Sequence, residues 1–158
     1  MSELVLRRYR PADRDAVWEL HNLALHEVGA HGGPGGWDDD LHNIRAEYLD
    51  VGGEFLVGLL EGRIVAMGAL WPEGEDVAWI KRMRVHPDFQ RRGFGRRILR
   101  ALIDRARADG YAKLKLDTTT LQTAAHRLYE SEGFVQTTAR EYVNGPRRFT
   151  LKLYEKAL

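Results

Sequence analysis

The sequence predicts a mixed α+β fold: a central, mostly antiparallel sheet of about seven strands that contains one parallel pair and is flanked by about four helices. Two observations carry this prediction. Several strand-like apolar runs are separated only by short Gly-containing turns, which favours antiparallel neighbours. Further along, the apolar spacing changes to a helical period and back, and a strand–helix–strand order favours a parallel pair. We expect residues 1–158 to form a single domain.

The first elements are a short strand and a helix. Apolar residues alternate with basic ones in a strand that ends at Pro11. A helix then begins at Asp13 or Asp15 and continues to about Val28. Its predicted buried face consists of Ala16, Val17, Leu20, Leu23 and Ala24.

The next stretch, from Gly29 to Gly36, contains too many glycines for regular structure and predicts a loop. A second helix follows, capped by Asp38 or Asp39. Its predicted buried stripe consists of Leu41, Ile44, Tyr48 and Leu49.

An antiparallel meander comes next. The runs at 54–60 and 63–71 are separated by Glu61-Gly62, a two-residue hairpin signal. Pro72-Glu73-Gly74 then separates them from a third run at 76–85.

The remaining elements alternate. A helix at about 95–108 ends at Gly110 and is followed by a buried strand at 112–117, parallel to the run at 76–85. A helix at about 121–131 ends at Gly133, and two last strands, 135–143 and 147–154, flank a turn. The predicted inward residues are Ile98, Leu99, Leu102, Ile103 and Ala106 in the first helix and Ala124, Ala125, Leu128 and Tyr129 in the second.

Charge and cysteine content exclude several classes of function. Lys and Arg number 24 and Asp and Glu 23, so no overall field favours nucleic acid or an anionic membrane. No run approaches the roughly 18 apolar residues of a membrane span, and residues 1–7 do not resemble a secretion signal. The absence of cysteine excludes disulfides, thiolate metal sites and thiol nucleophiles. We expect a cytoplasmic protein.

The segment 85–97 carries the chemistry. A strand ends, and a loop with Gly93 and Gly95 leads directly into a helix N-terminus, where unpaired N–H groups and the helix dipole favour phosphate oxygens. A dinucleotide loop would require a third glycine where Ile98 stands, and no Gly-Lys-Ser/Thr of a nucleotide P-loop occurs. Taken alone, the two glycines favour an ordinary strand-to-helix turn, because an isolated G-x-G is common.

Two motifs resemble the GNAT family of N-acetyltransferases. Val85-x-Pro87 followed by Gln90-Arg91-Arg92-Gly93-Phe94-Gly95 resembles the family's coenzyme A loop, Q/R-x-x-G-x-G/A. The run from Ala125 to Phe134 is similar to its second signature, A-x-x-x-Y-x-x-x-G-F. The resemblance covers residues 83–134 in detail and nearly the whole chain in element order. It implies the GNAT fold, whose parallel pair is splayed, and acetyl-CoA as cosubstrate without a metal.

The resemblance also implies residue roles. The strand before the loop would carry a bulge and splay from its neighbour, so that the backbone of Met83, Arg84 and Val85 binds the acetyl and pantetheine end. Tyr129 would protonate the departing thiolate; without the motif it would be a core tyrosine. Gln122 stands where many members have an asparagine that contacts pantetheine. The pyrophosphate site would comprise Gln90, Arg91, Arg92, Gly93, Phe94, Gly95 and Arg96, although the arginines also fit a solvated helix face.

The family's usual glutamate base is missing from 79–83. His86, Glu73, Glu75 or a water chain remain alternatives for deprotonating the amine. Because no cysteine can carry the acetyl group, we expect direct transfer in a ternary complex. The acceptor would be an amine-bearing small molecule or a peptide N-terminus, and a homodimer is left open.

The acceptor pocket would lie near the first two helices, with the loop from Gly29 to Gly36 and Trp37 either a lid or a plain surface loop. Nearby histidines and aspartates match no metal-ligand spacing and are interpreted as a polar helix face plus a cap: His21, His26, His31, His42, Asp38, Asp39 and Asp40.

Two rival functions remain. A non-catalytic acyl-CoA sensor is favoured by the missing glutamate and disfavoured by Tyr129. A nucleic-acid-binding module would use the arginines of 91–100, but balanced charge and the lack of an aromatic platform disfavour it.

Overall fold

A computed structural model describes residues 3–30 and 36–158, apart from the side chain of Asn144. Seven strands form one sheet in the order β1-β2-β3-β4-β5-β7-β6, and every neighbouring pair is antiparallel except β4 and β5. The predicted mixed, mostly antiparallel sheet is therefore confirmed. The strands are β1 (Val5–Arg8), β2 (Glu54–Leu60), β3 (Arg63–Pro72), β4 (Val77–Val85), β5 (Lys113–Thr119), β6 (Val135–Asn144) and β7 (Arg147–Ala157).

Three α-helices are present in the described part of the chain: α1 (Arg14–Glu27), α2 (Phe94–Ala108) and α3 (Thr123–Ser131). Short 3-10 turns at Pro11–Asp13 and Pro87–Phe89 precede α1 and α2. None of these described helices is long and apolar enough to cross a membrane.

The predicted turns form where glycine permits a left-handed backbone. Glu61 and Gly62 both have positive φ, 51° and 80°, as the mirror-image turns of tight hairpins require. Gly110 and Gly133, with φ of 85° and 91°, end α2 and α3 as expected.

Two apolar clusters cover the two faces of the sheet. One lies between the sheet and α2 with α3, and all five residues predicted for the inner face of α2 are buried there. The other includes Val17 and Leu20 of α1. The prediction for α1 was wrong at Ala16 and Leu23, which are exposed, because the buried stripe runs through His21 and Leu25 instead.

The second predicted helix is not an α-helix. Gly36–His42 is a 3-10 segment and Arg45–Leu49 a π-helical turn. Side-chain ion pairs of Asp38 and Asp40 with β4 hold this segment in place of a regular helical ladder. The apolar pattern was right for Leu41, Ile44 and Tyr48, which are buried, whereas Leu49 is only half-buried.

In α3 the prediction was wrong at one position. Ala124 is exposed, and His126 lies inward with Nε2 2.7 Å from the carbonyl oxygen of Thr119. Tyr129 is buried, and Ala125 and Leu128 are half-buried as the amphipathic pattern indicates.

The geometry of β4 positions the site. Its parallel ladder with β5 comprises Val77–Lys113, Ala78–Leu114 and Trp79–Lys115, and then stops. On its other side a bulge places Arg82 and Met83 opposite Gly68 of β3, with φ of 59° at Arg82. The splayed pair and the bulge implied by the resemblance are both present.

Candidate active site

The gap between β4 and β5 exposes a backbone edge. β5 continues its antiparallel ladder with β7 from Lys113 to Thr119, so β4 alone turns away. The backbone of Met83, Arg84 and Val85 lies on the diverging part of β4. An extended ligand can therefore pair with N–H and C=O groups there as an added strand does.

The loop after β4 leads to the N-terminus of α2, which lies at the same end of the sheet as the gap. Gly93 has φ of 79° and directly precedes α2, and a Cβ built on it would meet no atom within 4 Å. The first intrahelical bond runs from Arg97 N to Gly93 O at 3.1 Å, which leaves the N–H groups of Phe94, Gly95 and Arg96 without helical acceptors. The predicted phosphate loop thus presents free donors beside open space.

Gly95 has a different physical role from Gly93. A Cβ at Gly95 would lie at an ordinary contact distance, 3.4 Å, from the side chains of Val85 and Leu128, so this position packs against β4 and α3. Of these two glycines, only Gly93 faces open space.

The arginines of the loop and of α2 mostly contact protein groups. Arg96 donates to Glu132 at 2.5 Å, and Arg100 donates to the same carboxylate at 2.9 Å. Burial raises the pKa of Glu132, but these two hydrogen bonds outweigh it and lower the pKa. The ion pairs tie α2 to the end of α3.

The remaining loop side chains are more exposed. The guanidinium of Arg92 lies over the rings of Phe89 and Phe94, 5.7 and 5.0 Å from their centroids. Arg91 is exposed and has φ of 62°. Gln90 makes only a long contact, 3.4 Å from Nε2 to Val85 O.

Tyr129 of α3 is 5% exposed and belongs to the apolar cluster between the sheet and α2 with α3. Its ring packs edge-on against Phe134 with centroids 6.0 Å apart. Burial raises the pKa of its phenol to about 12, and the charge of Arg84 opposes this shift. The phenol therefore keeps its proton at neutral pH.

The side chain of Arg84 lies in the same region, between α3 and α1. Its Nη1 donates to Met83 O at 2.7 Å, and its Nε donates to Nδ1 of His21 at 3.3 Å. Burial, followed by the charge of Arg82, lowers the pKa of this guanidinium to about 10. It stays protonated at neutral pH.

His21 supports Arg84 from α1. Its side chain has 0% exposure, and Nε2 lies 3.0 Å from Asp38 Oδ1. Burial lowers the pKa of the imidazole to about 4 despite the hydrogen bond with Asp38. The neutral ring donates through Nε2 and accepts at Nδ1, the one tautomer that satisfies both contacts. The predicted polar helix face thus does not hold for His21, although His26 and His42 are exposed.

Arg82 pairs with the carboxylates of Asp38 and Asp40. It donates to Asp40 through Nε at 2.9 Å and Nη2 at 2.5 Å, to Asp38 through Nη1 at 3.2 Å, and to the carbonyl of Trp37 at 2.5 Å. Tyr48 donates to the same Asp40 carboxylate. Burial raises the pKa of Asp40, but the bonds from Arg82 prevail and lower it. Sequence analysis did not predict this network, because Arg82 lies far along the chain from Trp37, Asp38, Asp40 and Tyr48.

Gln122 stands just before α3 with its amide oxygen occupied. Oε1 accepts from Thr118 Oγ1, Thr119 N and Thr119 Oγ1, each at 3.1 Å. This amide closes the turn between β5 and α3, and its Nε2 carries the donors that a cosubstrate contact would need. The contact with pantetheine stays a prediction.

The candidate bases lie away from the gap or are engaged. His86 contacts Asp88 N through Nδ1 and Arg63 Nη2 through Nε2, both at 3.1 Å. It helps to line a cavity of about 300 Å³ that neither Arg84 nor Tyr129 lines. Glu73 accepts from Trp79 Nε1 at 3.1 Å in the turn at the opposite end of β4, and Glu75 is exposed in that turn.

Most of the loop considered as a lid, residues 31–35, lies outside the described residues, as does His31. Trp37, at its end, packs edge-on against Tyr142 of β6 with centroids 4.7 Å apart. Within 3–30 and 36–158, no three His, Asp or Glu side chains are grouped as metal ligands.

The chain belongs to the acetyltransferase (GNAT) family, whose sequence model matches residues 14–134. It is 33% identical over 123 residues to the ribosomal protein bS18-alanine N-acetyltransferase of Haemophilus ducreyi, covering 78% of this chain and 81% of that protein. It is 34% identical over 97 residues to the N-acetylaspartate synthetase of Xenopus tropicalis, covering 60% of this chain. The chain spans only 36% of that relative's length.

Solved structures share the fold. An acetyltransferase from Streptococcus agalactiae 2603 superposes with a TM-score of 0.85 at 23% identity, covering 98% of both chains. The yncA acetyltransferase of Salmonella typhimurium, solved with acetyl-CoA, superposes with a TM-score of 0.78 at 24% identity. The superposition covers 98% of this chain and 94% of the yncA chain.

Proposed function

We propose that this chain is an acetyl-CoA-dependent N-acetyltransferase that transfers the acetyl group directly to an amine. One observation carries the proposal: the β4–β5 ladder stops after Trp79, and the diverging part of β4 continues into the loop that ends at the free N-terminus of α2. Arg84, on this part of β4, is close enough for its charge to act on the buried phenol of Tyr129. An extended thioester cofactor with a diphosphate requires an open strand edge followed by a phosphate site. In this chain the open edge of β4 is followed directly by the loop and the N-terminus of α2.

The residues present fit acetyl-CoA. The backbone of Met83, Arg84 and Val85 would pair with the pantetheine arm, and one of its N–H groups would stabilise the oxyanion of the tetrahedral intermediate. Open space beside Gly93 and the free N–H groups at the start of α2 suit a pyrophosphate. The proposed site comprises Met83, Arg84, Val85, Gln90, Arg91, Arg92, Gly93, Phe94, Gly95, Arg96 and Gln122.

Tyr129 acts as the general acid in this mechanism. The amine nitrogen attacks the thioester carbonyl, the C–N bond forms, and the C–S bond breaks as the intermediate collapses. The sulfur leaves as a thiolate and takes the phenolic proton of Tyr129. A phenol whose pKa burial raises to about 12 is protonated when this step begins, as a donor must be.

The amine loses its own proton to water in this scheme. His86 has both ring nitrogens in contact with protein N–H groups, and Glu73 and Glu75 lie in the turn before β4, six residues of strand away from Met83. At about 3.3 Å per residue that separation is roughly 20 Å. A water chain, or an acceptor that arrives as the free amine, suits the geometry better.

The absence of cysteine favours direct transfer of the acetyl group to the amine. The sequence contains no cysteine, so no protein thioester can form. We therefore expect ternary-complex kinetics, and an acetylated enzyme that passes its acetyl group onward would contradict them.

The acceptor class is an amine-bearing small molecule or a peptide N-terminus. The relatives' names include both a synthetase of N-acetylaspartate and an alanine N-acetyltransferase of a ribosomal protein. The proposal includes one catalytic domain over residues 1–158 and a cytoplasmic location. Three arginines of 91–100, Arg96, Arg97 and Arg100, already contact protein groups, which leaves little of a nucleic-acid surface.

Thermal unfolding with acetyl-CoA, desulfo-coenzyme A and ATP tests the proposal. A ligand at about 100 times its Kd adds roughly 2.7 kcal/mol, or about 5–10 °C in Tm for a domain of this size. We expect both coenzyme A compounds, but not ATP, to raise Tm. No shift at millimolar ligand would mean that the loop is only a turn. Binding without release of free coenzyme A thiol on any amine would identify a non-catalytic sensor.

A further inference from the structure

The two arginines of β4 differ in their partners. Arg82 is held by two carboxylates, Asp38 and Asp40. Arg84, two residues further along, contacts a neutral imidazole and a backbone carbonyl. Every Asp and Glu of the sequence lies in the described ranges 3–30 and 36–158, and none of them forms an ion pair with Arg84. This difference calls for a functional reason, since a partly buried cation without an anion is costly.

The donors of Arg84 are only partly used. Of its five N–H groups, one on Nε is directed at His21 and one on Nη1 at Met83 O. Nη2 has no recorded acceptor among the described residues. A carboxylate binds a guanidinium through two parallel N–H···O bonds, so the unused N–H groups of Arg84 can donate to a carboxylate.

The position of Arg84 places such an anion next to the reaction. The backbone of Arg84 lies on the part of β4 that diverges from β5, and the charge of its guanidinium acts on the Tyr129 phenol. With pantetheine paired to this part of β4, as the proposed function has it, a carboxylate held by Arg84 would lie close to the thioester carbon that an amine must attack. In an α-amino acid the amine is separated from the carboxylate by one carbon, so a carboxylate paired with Arg84 would keep the amine within a few bonds of this arginine.

The other groups around Arg84 support the same ligand. His21 is neutral and accepts at Nδ1, the carboxylates of Asp38 and Asp40 are occupied by Arg82, and Tyr129 retains its proton. None of these groups offers Arg84 a direct counter-charge. His21 orients the guanidinium through Nε and leaves Nη2 for a ligand.

We propose that Arg84 binds the carboxylate of the acceptor, so that the enzyme acetylates free amino acids in preference to amines that lack a carboxylate. This rests on the proposed function and selects, within it, the small-molecule acceptor over the peptide N-terminus. The α-carboxylate of a peptide's first residue is consumed in the peptide bond and cannot pair with Arg84.

The test compares matched acceptors. Release of coenzyme A thiol is measured at saturating acetyl-CoA for each of a panel of amino acids and for the corresponding amino-acid amide. The amide has the less basic amine and more of it is unprotonated at neutral pH, so a preference for the acid cannot come from amine ionisation. We expect kcat/KM to be higher for the acids by roughly tenfold or more, as two charge-assisted hydrogen bonds imply.

Two variants localise the effect. Arg84→Met should reduce the acid-to-amide ratio of kcat/KM to one or below, mainly by raising KM for the acid. Arg84→Lys should restore part of the ratio because lysine keeps the charge but lacks the two parallel N–H donors of a guanidinium. Arg107→Met, at an arginine of α2 with 52% side-chain exposure, is the matched control and should keep the wild-type ratio.

The outcomes separate the two proposals. Transfer to amides or peptide N-termini as fast as to amino acids overturns the role of Arg84 and leaves the acetyltransferase proposal standing. An unchanged ratio in Arg84→Met also overturns it. Failure of the wild-type protein to bind acetyl-CoA or to acetylate any amine overturns the proposed function itself. If Arg84→Met does not fold, the wild-type comparison of acids with amides decides.

Discussion

The Nε atom of Arg84 lies 3.3 Å from Nδ1 of His21, so a buried neutral imidazole orients the guanidinium of an arginine on the diverging part of β4. The opposite nitrogen of the same ring contacts Asp38. His21 thus links the carboxylate cluster of Asp38 and Asp40 to Arg84. The protonation state of one buried histidine controls this contact, because a doubly protonated ring cannot accept from Arg84.

The first prediction concerns the pH dependence of stability. The folded-state pKa of His21, about 4, lies below the unfolded value of 6.5, so the unfolded chain takes up a proton first as the pH falls. The stability that the neutral ring contributes is therefore complete above pH 6.5 and is lost as the pH falls towards 4. We expect the free energy of unfolding in urea to decrease by about 2 kcal/mol between pH 7.5 and 5.

The control for this effect is a second histidine of α1. His21→Gln should be less stable at pH 7.5 and show a flatter pH dependence, whereas His26→Gln, at an exposed position, should keep the wild-type slope. A wild-type stability that does not change over this pH range would contradict the buried neutral ring.

The second prediction concerns Arg82. Its side chain is 17% exposed and pairs with both Asp38 and Asp40, so Arg82→Met leaves two partly buried carboxylates without a cation. We expect a loss of about 3 kcal/mol in the free energy of unfolding. Lys81→Met on the neighbouring exposed position is the control and should cost less than about 1 kcal/mol. Equal losses in the two variants would show that the Arg82 network is not the cause.

The third prediction separates two buried tyrosines whose rings lie 6.3 Å apart. Tyr129→Phe removes the proposed proton donor and should lower kcat by about 100-fold or more. The Tm shift with acetyl-CoA should remain, since the ring and its packing are kept.

Tyr154→Phe is the matched control. The Tyr154 hydroxyl is buried and has no hydrogen-bond partner among the described residues, so its removal should stabilise the fold by up to about 1 kcal/mol without lowering kcat. Comparable kcat values for Tyr129→Phe and the wild-type enzyme would remove Tyr129 from the mechanism.

The fourth prediction concerns the two glycines of the loop. Gly93→Ala forces a Cβ into a backbone with φ of 79° and should cost about 1–2 kcal/mol, with a smaller Tm shift on addition of acetyl-CoA. Gly95→Ala meets Val85 and Leu128 at an ordinary contact distance of 3.4 Å and should change stability by less than about 0.5 kcal/mol. Both free energies are measured by urea unfolding. The reverse order of the two losses would contradict the assigned backbone conformations.

Local patterns in the sequence determined most elements of the fold. Glu61-Gly62 predicted a hairpin that forms with both residues at positive φ, and the apolar period of α2 predicted a face that is buried throughout. The pattern failed at 36–49, where a 3-10 segment and a π-helical turn replace an α-helix. There the tertiary ion pairs of Asp38 and Asp40 outweigh helix propensity, which contributes only fractions of a kcal/mol per residue.

The candidate site divides in the same way. The sequence by itself determined the positions of Tyr129 and of the loop through Gly93, because each lies in a motif that spans a few neighbouring residues. Only the tertiary structure decided that Arg82 pairs with the carboxylates of Asp38 and Asp40 while Arg84 contacts the neutral ring of His21. The physical reason is that these contacts join residues 42 and 63 positions apart in the chain, and hydrophobic periodicity carries no information about partners at that separation.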